Sequence, residues 1–85
     1  MKNFINKVIN NNQINLEELN TFIVDYCKLM DNKIPTQQEL LMITELIQSG
    51  MFNLLFAVKN AAVKLNIQIN TLYDKHGNLI KMFIP

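Results

Sequence analysis

The residues best equipped for chemistry in this 85-residue chain are its one cysteine, Cys27, its one histidine, His76, and seven carboxylates. A cysteine and a histidine can act as nucleophile and base when the thiol is partly exposed and drawn toward the thiolate. Cys27 falls instead on the apolar side of a helical pattern, where a small core residue is the simpler reading. His76 sits in a turn sequence with nothing obvious beside it. Glu17 and Glu18 open a helix, where negative charge complements the helix dipole; Glu39 holds a capping position and Asp74 suits a turn. Each of these acids then has a structural role, and a general acid–base pair lacks support. The spacing contains no phosphate-cradling glycine loop, no dinucleotide fingerprint and no Cys/His metal cluster. Gly50 and Gly77, the only glycines, are placed as a helix stop and a turn. The chain therefore reads as non-enzymatic, with no cofactor and no metal.

The elements that would position any functional surface are predicted in order. Residues 3–10 predict a short helix with Phe4, Ile5, Val8 and Ile9 on one side, and Asn10–Gln13 a polar loop. Asn15 with Glu18 three residues on forms a capping box, with Ile14 and Leu19 set for a hydrophobic staple. Leu16, Leu19, Phe22, Ile23, Tyr26, Cys27 and Met30 then recur at helical spacing. Asp31–Lys33 ends that helix and Ile34-Pro35 prevents continuation. Thr36 and Glu39 make a second capping box. The helix it opens buries Leu40, Ile43 and Ile47, presents Leu41 outward and stops at Gly50.

Met51–Leu65 is the most informative segment, because it predicts a helix with two apolar faces. At about 100° per residue, Met51, Leu54, Leu55, Val58, Ala62 and Leu65 form a core face, and Phe52, Phe56 and Val63 form a second. Lys59 lies between them, opposite a polar strip of Asn53, Asn60 and Lys64. Residues 66–85 predict a β-hairpin, with Ile67, Ile69, Thr71 and Tyr73 alternating against polar positions. Its turn is Asp74–Asn78 and its return strand Leu79–Ile84. A lone hairpin is marginal in water and must pack on a helix, and the second face of Met51–Leu65 is the nearest support. The fold class expected is mostly α (α+β), a single domain over 1–85 of three or four helices followed by a C-terminal two-stranded antiparallel hairpin.

Composition narrows the function classes. Hydrophobic residues make up 49% of the chain, which favours a folded globule over disorder, although 85 residues bury only about 60–65% of their unfolded surface. A lone cysteine cannot form an internal disulfide, and a reducing, cytoplasmic compartment is the expectation. No secretion signal is read at the N-terminus, and no run approaches the length of a membrane span. Net charge is +1 with no arginine, giving no bias toward nucleic acid. Thirteen asparagines and eleven isoleucines, with lysine as the only strong base, match an AT-rich coding sequence of the kind frequent in bacteriophages and mobile elements.

The order helix, helix, tight turn, helix, hairpin resembles a winged helix-turn-helix. That resemblance covers about 70 residues by element order and rests on no residue motif. It implies 15–31 and 37–49 as the first two helices, 51–65 as the recognition helix and 74–78 as the wing, with Lys59, Lys64, Lys75 and Lys81 as DNA-phosphate contacts. Against it, a recognition helix presents polar and basic side chains at its N-terminal end, and here that end is Met51-Phe52-Asn53-Leu54-Leu55-Phe56. The preferred expectation is a small interaction protein that self-associates or binds and modulates a protein partner, an inhibitor or regulator in its most specific form. Leu41, Met42, Phe52, Phe56 and Val63 are its candidate interface, since aromatic residues and methionine are enriched at interface cores. An oligomer that binds a small ligand, such as a signalling nucleotide, between its chains is a third class.

Overall fold

A computed structural model describes every residue, Met1–Pro85. It contains α1 (Lys2–Ile9), α2 (Leu16–Asp31), α3 (Gln37–Gln48), α4 (Leu54–Lys64), β1 (Asn70–Tyr73) and β2 (Leu79–Phe83), the strands pairing as one antiparallel hairpin. The expected mixed architecture, helices first and hairpin last, is the one observed.

Local chemistry accounts for the helix ends. Asn15 accepts a hydrogen bond from the Glu18 backbone N–H at 2.8 Å, and the Glu18 carboxylate accepts from the Asn15 N–H. Thr36 and Glu39 repeat the arrangement at the start of α3. Each box satisfies amide donors that the first helical turn leaves free. Three of the many asparagines act where chains leave helices: Asn11, Asn32 and Asn66 all have left-handed backbone, with φ of 59°, 55° and 60°. Asparagine tolerates that conformation better than other side chains. Asn32 is the C-cap of α2, and its N–H donates to the Lys28 carbonyl.

The helix expected over Met51–Leu65 is shorter and rotated. Gly50 ends α3 at φ +79°, and the Phe52 N–H donates back to the Leu46 carbonyl at 3.0 Å. Met51 and Phe52 therefore belong to the turn. Asn53 then caps α4, its side chain accepting from the Leu55 N–H at 2.9 Å, an N-cap role typical of asparagine. Met51, assigned to the core face, is 80% exposed, and Leu65 is exposed as well. The buried stripe of α4 is Ala57, Val58, Ala61 and Ala62, with Leu54 and Leu55 half-buried.

That stripe is the centre of the molecule. Phe4 and Ile5 of α1, Leu19, Phe22 and Ile23 of α2, and Leu79 and Met82 of β2 close around it. The three alanines let the surrounding elements approach the α4 backbone closely, so one helix contacts α1, α2 and β2 at once. Phe4 stacks on Phe22 with ring centroids 4.3 Å apart, which fixes the short α1 against α2. Leu16 and Met30, grouped with the apolar face of α2 by spacing, lie exposed near its two ends.

The hairpin anchors differently from expectation. Leu79 and Met82 are both buried, although side chains three apart on a regular strand point to opposite faces. Pairing runs Leu72 with Lys81 but Tyr73 with Leu79, leaving Ile80 as an extra residue in a β-bulge. The bulge turns both anchors inward. They pack beside the buried stripe of α4 and against α1, not on the face of Phe56 and Val63, which the hairpin leaves uncovered.

Candidate interaction surface

The five candidate interface residues are all exposed, from 42% for Phe52 and Phe56 to 65% for Val63, with Leu41 and Met42 between. They do not form one patch. Leu41 lines a cleft of about 120 Å³ between α2 and α3 with Leu16, Leu40 and Gln37, floored by Asn20 and Thr44. Thr44 is the one buried polar residue. Its hydroxyl lies 2.8 Å from the Leu40 carbonyl and 3.0 Å from the Asn20 side-chain oxygen, which satisfies the group that burial would otherwise penalise. Phe52 lines a second, nearly all-apolar cavity of about 160 Å³ with Phe22, Ile23, Tyr26, Cys27, Ile43 and Ile47. Phe56 and Val63 stand on the open side of α4. Phe52 and Phe56, joined on one face by helical spacing, part because Phe52 precedes the helix.

The lysines proposed as phosphate contacts are dispersed. Lys59 donates to the Tyr73 hydroxyl at 2.6 Å and lies 5.3 Å from that ring's centroid, tying α4 to β1. The lysine's hydrogen bond holds the Tyr73 hydroxyl below its ordinary pKa, helped by the Thr71 side chain. Lys64 lies in the last turn of α4, Lys75 in the hairpin turn, and Lys81 opposite Leu72 on β2. The first turn of α4 offers half-buried Leu54 and Leu55 and exposed Phe56, which have no hydrogen-bonding groups for base edges.

The chemical groups are occupied structurally. Cys27 is half-buried; burial, then the charges of Asp31 and Glu39, raise its thiol pKa, which opposes nucleophilic use. His76 is exposed at the hairpin turn, its backbone N–H donating to Asp74. Asp74 also accepts from the Asn78 backbone and side chain, and those bonds lower its pKa. No group of three His, Cys, Asp or Glu side chains is assembled as a metal site. No helix is long and apolar enough to cross a membrane.

Further exposed apolar residues lie on the hairpin, which holds none of the five candidate interface residues. Leu72, Ile80, Phe83 and Ile84 are all exposed. The available signal was Leu72, an apolar residue in the polar phase of its strand. In total, 15 large hydrophobic residues are exposed while only 12 of 85 residues are buried. The accessible surface is 5996 Å², whereas a folded monomer of 9.9 kDa is expected to expose about 5200 Å². The excess, about 800 Å² over that expectation, accompanies uncovered apolar side chains spread over α3, α4 and the hairpin. A scan of protein-family models, a search of curated proteins and a search of solved structures each found no match to this chain.

Proposed function

We propose that this chain is a small non-enzymatic interaction protein that works by covering its apolar surface with another protein chain, its own or a partner's. The observation that carries this reading is the surplus of exposed apolar side chains over buried ones. Apolar side chains that the chain's own elements leave in water are surface that another chain can cover favourably. An inhibitor or regulator borne by a phage or mobile element is the more specific form, and its support is compositional. Light scattering coupled to chromatography, run beside titration with an apolar-surface dye, tests the general reading. Self-association, or a monomer that binds the dye strongly, is the expected result. A monomer that binds no dye overturns it, because the surface would then not be available.

One observation favours the winged-helix alternative. Residues 51–85 carry four lysines against a single acid, Asp74. Lys59 is engaged by Tyr73, leaving three free cations and a weak phosphate footprint. Titration of duplex DNA at low salt decides it: absence of binding at micromolar protein removes this reading, since nonspecific affinity alone would register there. For the small-ligand class, the most apolar cavity, about 160 Å³, is below the usual range of about 300–1,000 Å³ for ligand pockets. A cleft of about 430 Å³ beside α1 and α2 falls inside that range, but Glu17, Glu18 and Asp25 line it and would repel a nucleotide's phosphates; a nucleotide site fits better between chains.

A further inference from the structure

We infer that the partner is a second copy of this chain, docked through the free edge of β1 so that two hairpins form a four-stranded antiparallel sheet in the order β2-β1-β1′-β2′. This deepens the interaction reading above and rests on it.

The sheet has two strands and therefore two edges. Exposed edges are templates for pairing, and proteins guard them with lysine, proline, bulges or cover. The β2 edge has three of these: exposed Lys81, the bulge at Ile80, and Pro85 just beyond its end. The β1 edge, Asn70-Thr71-Leu72-Tyr73, has no charge, no proline and no extra residue. Its outward side chain Leu72 is 49% exposed, and Phe83, paired with Asn70 on the same outer face, is exposed too.

Backbone alternation sets the register. The Asp74 N–H donates across the hairpin to the Asn78 carbonyl at 2.9 Å, so Asp74 turns its backbone groups toward β2. In a strand, successive residues turn theirs to opposite sides. Leu72 and Asn70 therefore also face β2, while Thr71 and Tyr73 direct their N–H and C=O groups outward. No backbone group outside the hairpin bonds either residue. Around a two-fold axis perpendicular to the sheet, opposed residues must lie on the same face, which admits only registers centred on a residue. Centring on Leu72 opposes Thr71 to Tyr73′ and Tyr73 to Thr71′. Each of those pairs exchanges two hydrogen bonds, and all four outward groups of the strand are used. Leu72 then meets Leu72′ across the closely spaced non-hydrogen-bonded position. The interface is isologous, as a closed dimer requires.

The test is dimer dissociation measured by sedimentation, with variants chosen to separate surfaces. Leu72→Glu sets Glu opposite Lys81 within the chain, which suits the monomer's hairpin, but opposes two carboxylates at the dimer axis. Wild type is expected to dimerise at micromolar concentration, and Leu72→Glu to raise the dissociation constant by at least about tenfold. Mixing Leu72→Glu with Leu72→Lys should restore association as a heterodimer. Phe56→Glu and Val63→Glu should leave the dimer intact. Independently of any variant, mixed-label wild type should give intermolecular contacts between Leu72 side chains and between Thr71 and Tyr73. A strictly monomeric wild type overturns the dimer, yet leaves the wider interaction reading alive if the apolar dye still binds. Loss of association in Phe56→Glu but not in Leu72→Glu overturns the β1 edge and moves the interface to α4. Dimers without the Leu72 contact overturn the register and the inference with it.

Discussion

Replacing Ile5 by alanine tests what holds α1 in place. At eight residues, α1 is too short to be stable as an isolated helix in water, so its order depends on docking. Three attachments are visible: buried Ile5, Phe4 stacked on Phe22, and the ion pair of Lys7 with Glu18. Ile5 has no exposed surface. Its truncation removes three carbon atoms at about 0.8 kcal/mol each and leaves a cavity, for a total cost of about 3 kcal/mol. The Lys7–Glu18 pair is partly exposed on both sides, so solvent screens it and its contribution is small beside that of Ile5. Glu18→Gln keeps a side chain able to accept from the Asn15 N–H while removing the charge, so its loss is an upper bound on the ion pair, since the favourable interaction with the α2 dipole goes with it. For a chain of 85 residues with a total stability of about 4–13 kcal/mol, Ile5→Ala should remove a large fraction and Glu18→Gln little. Urea unfolding followed by circular dichroism, at one fixed protein concentration, measures both. Equal losses from the two substitutions, or a loss below about 1 kcal/mol for Ile5→Ala, would refute the claim that apolar anchoring dominates.

Other consequences are checked by simple measurements. Asn32→Gly relieves a left-handed C-cap and should stabilise by about 0.5–1 kcal/mol, whereas Asn32→Val should destabilise by about 1–2 kcal/mol, read as opposite shifts in thermal midpoint. Glu18, Glu39 and Asp74 all have folded pKa values below their ordinary ones: the first through Lys7 and the Asn15 amide, the second through Thr36, the third through Asn78. The unfolded chain binds protons more readily at these sites, so their contribution is complete above the usual carboxylate range. It disappears as pH falls through the lowered values. Melting midpoints should therefore decline on acidification below that range, and Thr36→Ala should shrink the decline. Cys27, with its thiol pKa raised first by burial, should react with a thiol reagent at pH 8 more slowly in the folded protein than in urea. Equal rates would contradict the half-buried placement.

The division between what sequence and tertiary structure decide follows the range of the forces involved. Both capping boxes, the stop at Gly50, the turn at Asp74–Asn78 and the order of elements were legible because each depends on residues a few positions apart. Helical spacing also identified Phe4, Ile5, Leu19, Phe22 and Ile23 correctly as core. It failed where two local signals competed: the apolar run from Met51 suggested a continuous helix, but the backfolded Phe52 amide and the Asn53 cap begin the helix later. That separated Phe52 from Phe56 and turned the buried stripe to Ala57, Val58, Ala61 and Ala62, whose small size matters only because three other elements converge there. Thr44 became a buried polar anchor through Asn20, 24 positions away. Leu79 and Met82 reached one face only through a bulge defined by pairing with the opposite strand. The amino-acid sequence by itself determined where elements begin and turn; only the tertiary structure decided which apolar side chains are covered, because burial is set by contacts between distant segments and has no local code. The surface left uncovered, including the unguarded edge around Leu72, is the part that bears on what this protein does.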